Sequence, residues 1–279
     1  MDSFNRMGCD AINLGSKDFS GGLDNLKDFE YKSEFPFLSA NITDEFGVNL
    51  FKPYTIVARD GVRLGVIGLT SVFTHSEIKV EDPLPILESL INEVKANSDF
   101  VVLLFHANEQ DVAAVRNSDL DIDLIIQSKS TRRSNDGGKY NIPVYTCGDK
   151  GKYVYRFEVN IEDNGDILDL SSYNTQIATL EKDLRKNEKG RPNETIDTSI
   201  PEENRRLNEI KRINMQIDRI RSSMNSASNT LSFERIEMGK NIIDEPEILL
   251  IVDEGKKLLN GLSSPKPIIP YNQPNVKRP

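Results

Sequence analysis

The sequence predicts an α/β fold with an α+β mixture of strand directions, and three observations predict it. Asp60-Gly61 stands between two runs of strand formers, Tyr54 to Val57 and Val62 to Ser71. Both central residues of a type I′ turn need positive φ, which Asp-Gly supplies, so these runs pair antiparallel. The apolar runs Ala11 to Leu14, Phe100 to Phe105 and Ile122 to Ile126 are separated by segments of helical periodicity, the pattern of crossover connections and a largely parallel sheet. Finally, Lys152 to Ile161 alternates as Tyr153, Tyr155, Phe157 and Val159, the period of a half-buried strand.

Taken in order, Asp2 to Gly8 reads as the end of a helix, broken by Gly8 before a strand over Asp10 to Leu14. A parallel strand needs a neighbour and nothing upstream supplies one, so the chain is expected to begin inside a larger fold. Leu23, Leu26 and Phe29 mark a short amphipathic helix. Phe35 to Asn41 is a strand with Pro36 near its start, where a missing donor is tolerated. Asp44-Glu45-Phe46-Gly47 turns the chain. Asp82 caps a helix with Pro83 in its first turn, whose stripe of Ile86, Leu87, Leu90, Ile91 and Val94 faces the sheet. Asp111 to Val115 is a shorter helix, and Ile142 to Cys147 with Lys152 to Ile161 are closing strands, ending a domain over residues 1–172.

Residues 173–243 read as a helical hairpin. Ile177, Leu180 and Leu184 share one face, the polar link Gly190 to Ile200 follows, and Ile210, Ile213, Ile217, Ile220 and Met224 then recur in heptad steps. That stripe fits a hairpin packed on its own domain, and equally an oligomer or partner seam through residues 201–225. Asp244-Glu245-Pro246-Glu247 resembles a capping box for a helix over 244–262, which would bury Ile248, Leu249, Val252 and Leu259. Residues 263–279 are proline-rich and aperiodic, an extended tail or linker.

A net charge of −9 repels polyanions, which argues against nucleic acid and anionic membrane surfaces as general partners. Cys9 and Cys147 show no CxxC or CxxCH spacing. No apolar run is long enough to insert in a membrane, and Met1 to Arg6 lacks the order of a signal peptide, so the product as written is soluble.

Ligands in parallel sheets sit beyond the carboxyl ends of the strands. Those ends are Ser16 and Lys17, Thr70 and Ser71, His106, and Lys129 to Thr131. Met7 to Gly15, Phe35 to Ile42, Pro53 to Ile56, Asp60 to Thr70 and Gly148 to Tyr153 together resemble, in order and spacing, the 5′-nucleotidase branch of the calcineurin-like metallophosphoesterases. The resemblance implies a β-sandwich flanked by helices and hydrolysis of phosphate esters by two divalent metals, manganese or zinc, with relatives commonly periplasmic or extracellular. Its two upstream aspartate motifs would precede Met1.

Here the chain departs from the pattern. The family's Gly-Asn-His-Glu falls on Gly15-Ser16-Lys17-Asp18, placing Ser16 at a metal-binding Asn and Lys17 at the catalytic His. Its Gly-Gly-His-Ser-His-Thr falls on Gln127 to Arg132, placing Lys129 and Thr131 at two ligand histidines. His106 alone matches a ligand position, and a lone histidine is more often a packed or solvated structural residue than a ligand. Ammonium groups have no lone pair, and bringing a lysine pKa from about 10.4 to below 7 costs roughly 4–5 kcal/mol, so no metal cofactor is expected. Lys17, Lys129, Arg132 and Arg133 would instead crowd this edge. They need anions, either Asp18, Glu109 or Asp136 from the chain itself, or a bound phosphate-like anion on Lys17, Lys129 and Arg132. The sequence thus points to a degenerate, non-catalytic phosphoesterase-like scaffold for binding or assembly. The alternative is a metal-dependent phosphoester hydrolase, acting on nucleotides or related esters, whose first metal motifs lie outside this chain.

Overall fold

Asp60 and Gly61 adopt φ of 50° and 85° and close the expected hairpin. The structure is a computed structural model that describes residues 1–138, 141–163, 165–188, 200–239 and 241–262. The link expected from Gly190 and the tail from Ser263 lie outside the described residues. In chain order the elements are α1 (Asp2–Arg6), β1 (Ile12–Asn13), α2 (Leu23–Tyr31), β2 (Phe37–Leu38), β3 (Ile42–Thr43), β4 (Tyr54–Arg59), β5 (Val62–Thr70), β6 (Lys79–Val80), α3 (Pro83–Ala96), β7 (Phe100–His106), α4 (Glu109–Arg116), β8 (Leu124–Ser128), β9 (Val144–Tyr145), β10 (Tyr153–Asn160), β11 (Ile167–Asp169), α5 (Leu170–Glu188), α6 (Pro201–Ser226), β12 (Asn229–Glu237) and α7 (Pro246–Leu262).

The main sheet has the order β4-β5-β7-β8-β9, with β4 antiparallel to β5 and the remaining pairs parallel. Strand alternation gives it two apolar faces. Ile67, Leu69, Val101, Leu103 and Phe105 form a core with Leu87, Ile91 and Val94 of α3 and with Val112 and Val115 of α4. Phe100, Val102 and Leu124 face the other way, against Leu231, Phe157 and Phe233 of a second sheet ordered β10-β12-β11. Two sheets with helices outside make the α/β sandwich that the sequence predicts. The start of α3 follows its sequence signal, since the Asp82 carboxylate accepts the Leu84 N–H at 3.1 Å with Pro83 in the first turn.

Several expectations need correction. Phe29 of α2 is exposed, and Leu26 is the buried residue of that helix. The strand expected over Phe35 to Asn41 shrinks to β2, because the Ser39 and Ala40 N–H groups donate to Lys52 and Gly68 and leave the ladder with β1. Leu249, Val252 and Leu259 of α7 are exposed, not buried. Their helix meets α1, joined to it by an Arg6–Glu247 ion pair, and α1 is five residues long, too short to cover that face.

β12 is absent from the sequence reading. It pairs antiparallel with β10 and parallel with β11, so the helical hairpin leaves from and returns to the same sheet. Asp169 fastens the hairpin root: its carboxylate accepts from Tyr145 Oη at 2.9 and 3.0 Å, from Ser172 Oγ at 2.6 Å and from the Ser171 N–H at 3.0 Å. Burial, reinforced by this carboxylate, pushes the Tyr145 phenol far above its ordinary range. Where α6 packs on α5, Ile213 and Ile217 are buried within the chain. Ile213→Asp therefore strands a carboxylate in an apolar site and should lower unfolding stability by about 3 kcal/mol or more without changing particle mass. Denaturant midpoints beside sedimentation mass check this; a change of mass at constant stability would make the stripe an association seam.

Candidate functional site

Parallel register sets Thr70 beside His106 and His106 beside Ser128, so the carboxyl ends of β5, β7 and β8 are level. The His106 carbonyl accepts from Thr70 Oγ1 at 3.2 Å and from the Ser71 N–H at 3.0 Å. Buried Asn41 braces the same edge: its Nδ2 donates to the Thr70 and Glu81 carbonyls at 2.7 and 2.8 Å, and its Oδ1 accepts the Thr70 N–H at 3.0 Å. On the other side His106 Nδ1 lies 3.0 Å from Ser128 Oγ. The ring rests against Gly15, where a Cβ would stand 2.6 Å from His106 Cγ, so any larger residue there would displace the imidazole.

Beyond Gly15 the chain turns tightly, with the Gly15 carbonyl accepting the Asp18 N–H at 3.1 Å and Asp18 Oδ2 accepting the Gly15 N–H at 2.7 Å. Ser16 is half-buried and Lys17 exposed. Lys129, just past β8, is held at φ 66°, an uncommon region for a residue with a Cβ. Lys17 and Lys129 both act electrostatically on His106. Burial pushes the imidazole below its ordinary value, the Lys129 ammonium adds to this, Asp18 opposes it, and Lys17 lowers it further.

Two of the three expected counter-charges accept backbone amides. Asp18 is turned onto the Gly15 amide, Asp136 Oδ1 accepts the Gly138 N–H at 2.9 Å, and Glu109 sits in the first turn of α4. Among the described residues none of them forms an ion pair with Lys17 or Lys129. Thr131 does not join the cluster. It lines a separate cavity of about 160 Å³ with Arg133, Cys147 and Tyr153. Arg133 donates to Tyr153 Oη at 2.6 Å and stacks on that ring, which removes it from the strand-end group. Arg132 is exposed, and its N–H donates to Ser130 Oγ at 3.3 Å. Asn41 and Ser128 have no assigned role in the sequence reading, since their partners lie 29 and 22 residues away and leave no local signal.

The 5′-nucleotidase of Vibrio parahaemolyticus is 34% identical across 36% of this chain and 20% of its own. That of Vibrio cholerae is 26% identical across 85% of this chain and 51% of its own. The calcineurin-like phosphoesterase YfkN of Bacillus subtilis superposes with a TM-score of 0.51 at 23% identity, over 58% of this chain and 60% of that one. The sequence similarity is to 5′-nucleotidases over part of their length, and the fold is similar to that of a calcineurin-like phosphoesterase. The chain spans between a fifth and a half of the length of these two curated relatives. No protein-family model matches it. No described helix is long and apolar enough to cross a membrane.

Metallophosphoesterases of the 5′-nucleotidase branch are expected to hold two divalent metals on these loops, but the donors present do not fit them. His106 is one imidazole under the charges of Lys129, Asp18 and Lys17. Among the described residues no three His, Cys, Asp or Glu side chains stand close enough to share a metal ion. Two ammonium groups add repulsion where a cation would sit.

The chain has two histidines, which makes the ring readable by NMR. Lys17→Met with Lys129→Met should raise the His106 titration midpoint, leaving the part of the depression due to burial; an unmoved midpoint would mean that the lysines do not act on the ring. Because the folded chain disfavours protonated His106, its contribution to stability is intact above the unfolded value near 6.5 and is lost as pH falls through the lower folded midpoint.

Proposed function

We propose that the chain is a non-catalytic member of this branch, a scaffold whose strand-end site receives an oxyanion where its relatives' pattern places metals. One observation supports this above the others: Lys129 and Lys17 both act on His106, while Asp18, which opposes them, accepts the Gly15 N–H and among the described residues pairs with neither lysine. Charge-assisted hydrogen bonds from lysine contribute on the order of 1.5–3 kcal/mol when partly shielded from water. Ser16 and Ser128 add hydroxyls beside them. A metal-dependent phosphoester hydrolase is the reading favoured by the names of the relatives, and the donor set weighs against it.

Two measurements on the purified chain test the proposal. Hydrolysis of p-nitrophenyl phosphate, its bis ester and 5′-nucleotides should stay at background with manganese or zinc added; manganese-dependent turnover lost on His106→Ala would sink the proposal. Inorganic phosphate should raise the melting midpoint with the logarithm of its concentration, stabilising by about 2.7 kcal/mol at a hundredfold excess over Kd. Chloride at matched ionic strength is the control, and Lys17→Met with Lys129→Met should abolish the shift. Equal shifts in both proteins would leave the lysines as solvated surface charges.

A further inference from the structure

α5 and α6 do not mesh along their whole length. Ile213 and Ile217 of α6 are buried, but one turn on Ile220 is only half-buried. The cause lies on α5, whose first turns carry Thr175, Gln176 and Thr179, side chains too polar or too short to close on an isoleucine stripe. The gap is a cleft of about 410 Å³ between the two helices, with Leu180 and Ile220 as its apolar lining. That volume falls within the roughly 300–1,000 Å³ of small-molecule sites.

The cleft carries one charge of each sign. Arg219 of α6 is exposed, and among the described residues its guanidinium forms no ion pair and donates no hydrogen bond. Two residues on, Arg221 does reach across the hairpin, to Glu181 at 3.0 Å. Asp136, in the loop after β8, is half-buried; its Oδ1 accepts the Gly138 N–H at 2.9 Å, and among the described residues it forms no ion pair. Its charge reaches the hairpin root, where after burial and Asp169 it is a further group holding the Tyr145 phenol up. A partly desolvated carboxylate without a counter-ion is unfavourable, and a free guanidinium offers a planar fork that matches a carboxylate. Gln176 and Gln216 line the same cleft and can both donate and accept. A simple anion would be repelled by Asp136, a simple cation by Arg219, and a hydrocarbon would strip water from both. A molecule with an apolar body and both charges meets all of these demands.

We propose that the α5–α6 cleft binds an apolar zwitterion the size of an amino acid or a dipeptide, its carboxylate on Arg219, its ammonium towards Asp136 and its side chains against Leu180 and Ile220. The cleft shares no residue with the strand-end row, and its occupancy does not depend on what that row receives. Isothermal titration calorimetry on the full chain with L-leucine and with L-leucyl-L-leucine should show saturable binding of at least one of them, with Kd below about 1 mM. The N-acetyl and carboxamide derivatives of that probe, each lacking one charge, should bind about tenfold more weakly or worse. Arg219→Gln should erase the preference for the free carboxylate over the amide, and Asp136→Asn the preference for the free amine over the acetyl form. Arg219 is exposed, so its variant should keep the melting midpoint of the parent chain. Thr179→Met, which adds bulk from an exposed position of α5, should weaken binding about tenfold with helix content unchanged by circular dichroism. Absence of saturable heat from both probes would overturn the proposal. So would derivatives that bind as tightly as the zwitterion, or charge preferences that survive the Arg219 and Asp136 changes.

Discussion

The parallel register of β5, β7 and β8 is the constraint on which the rest of the structure depends. It aligns Thr70, His106 and Ser128 in one row, so three connecting loops must leave the sheet at the same level. The register is fixed from both faces. A one-residue slip of β7 would exchange Val101, Leu103 and Phe105, packed under α3 and α4, with Phe100 and Val102, packed on the second sheet. The Asp60-Gly61 hairpin fixes β5 from its other side, and Asn41 ties the outer layer to its last residue.

What the row presents differs from what its relatives' pattern would present. Gly15 leaves room for the His106 ring, and Ser128 Oγ lies 3.0 Å from its Nδ1, so the imidazole is positioned from two sides. The row's charge is in part positive, since the Lys17 and Lys129 ammonium groups both act on the imidazole. They shift His106 in the same direction as burial does, favouring a neutral imidazole. A neutral ring between ammonium groups suits an anion and opposes a second cation, on elementary Coulomb grounds.

Much of this was legible in the sequence wherever the deciding interactions are local. The Asp-Gly turn, the Asp82 cap with Pro83 and the alternation of β10 each depend on neighbours a few residues away, and each was readable. β12 was missed because its pairing is with strands on either side of a long helical excursion. The exposed face of α7 was misread because periodicity shows that a face is apolar and not that anything covers it. At the strand ends, Lys17, Lys129 and His106 were singled out by position, and the two lysines do act on the imidazole. Thr131 and Arg133 were grouped with them because they are adjacent in sequence, but the left-handed backbone at Lys129 begins a loop that carries them towards Cys147 and Tyr153.

The central proposal is that the strand-end row holds no divalent metal, because lysines and hydroxyls occupy the positions where the family pattern has its Asn and His. Manganese is paramagnetic and broadens the resonances of any group it binds, and His75, whose Nδ1 accepts the Glu77 N–H, is an internal control. Titrating manganese into the full chain and following both imidazoles by NMR tests the claim directly. The account predicts that His106 and His75 broaden alike, in proportion to free manganese. Selective broadening of His106 that saturates at one or two equivalents would contradict it.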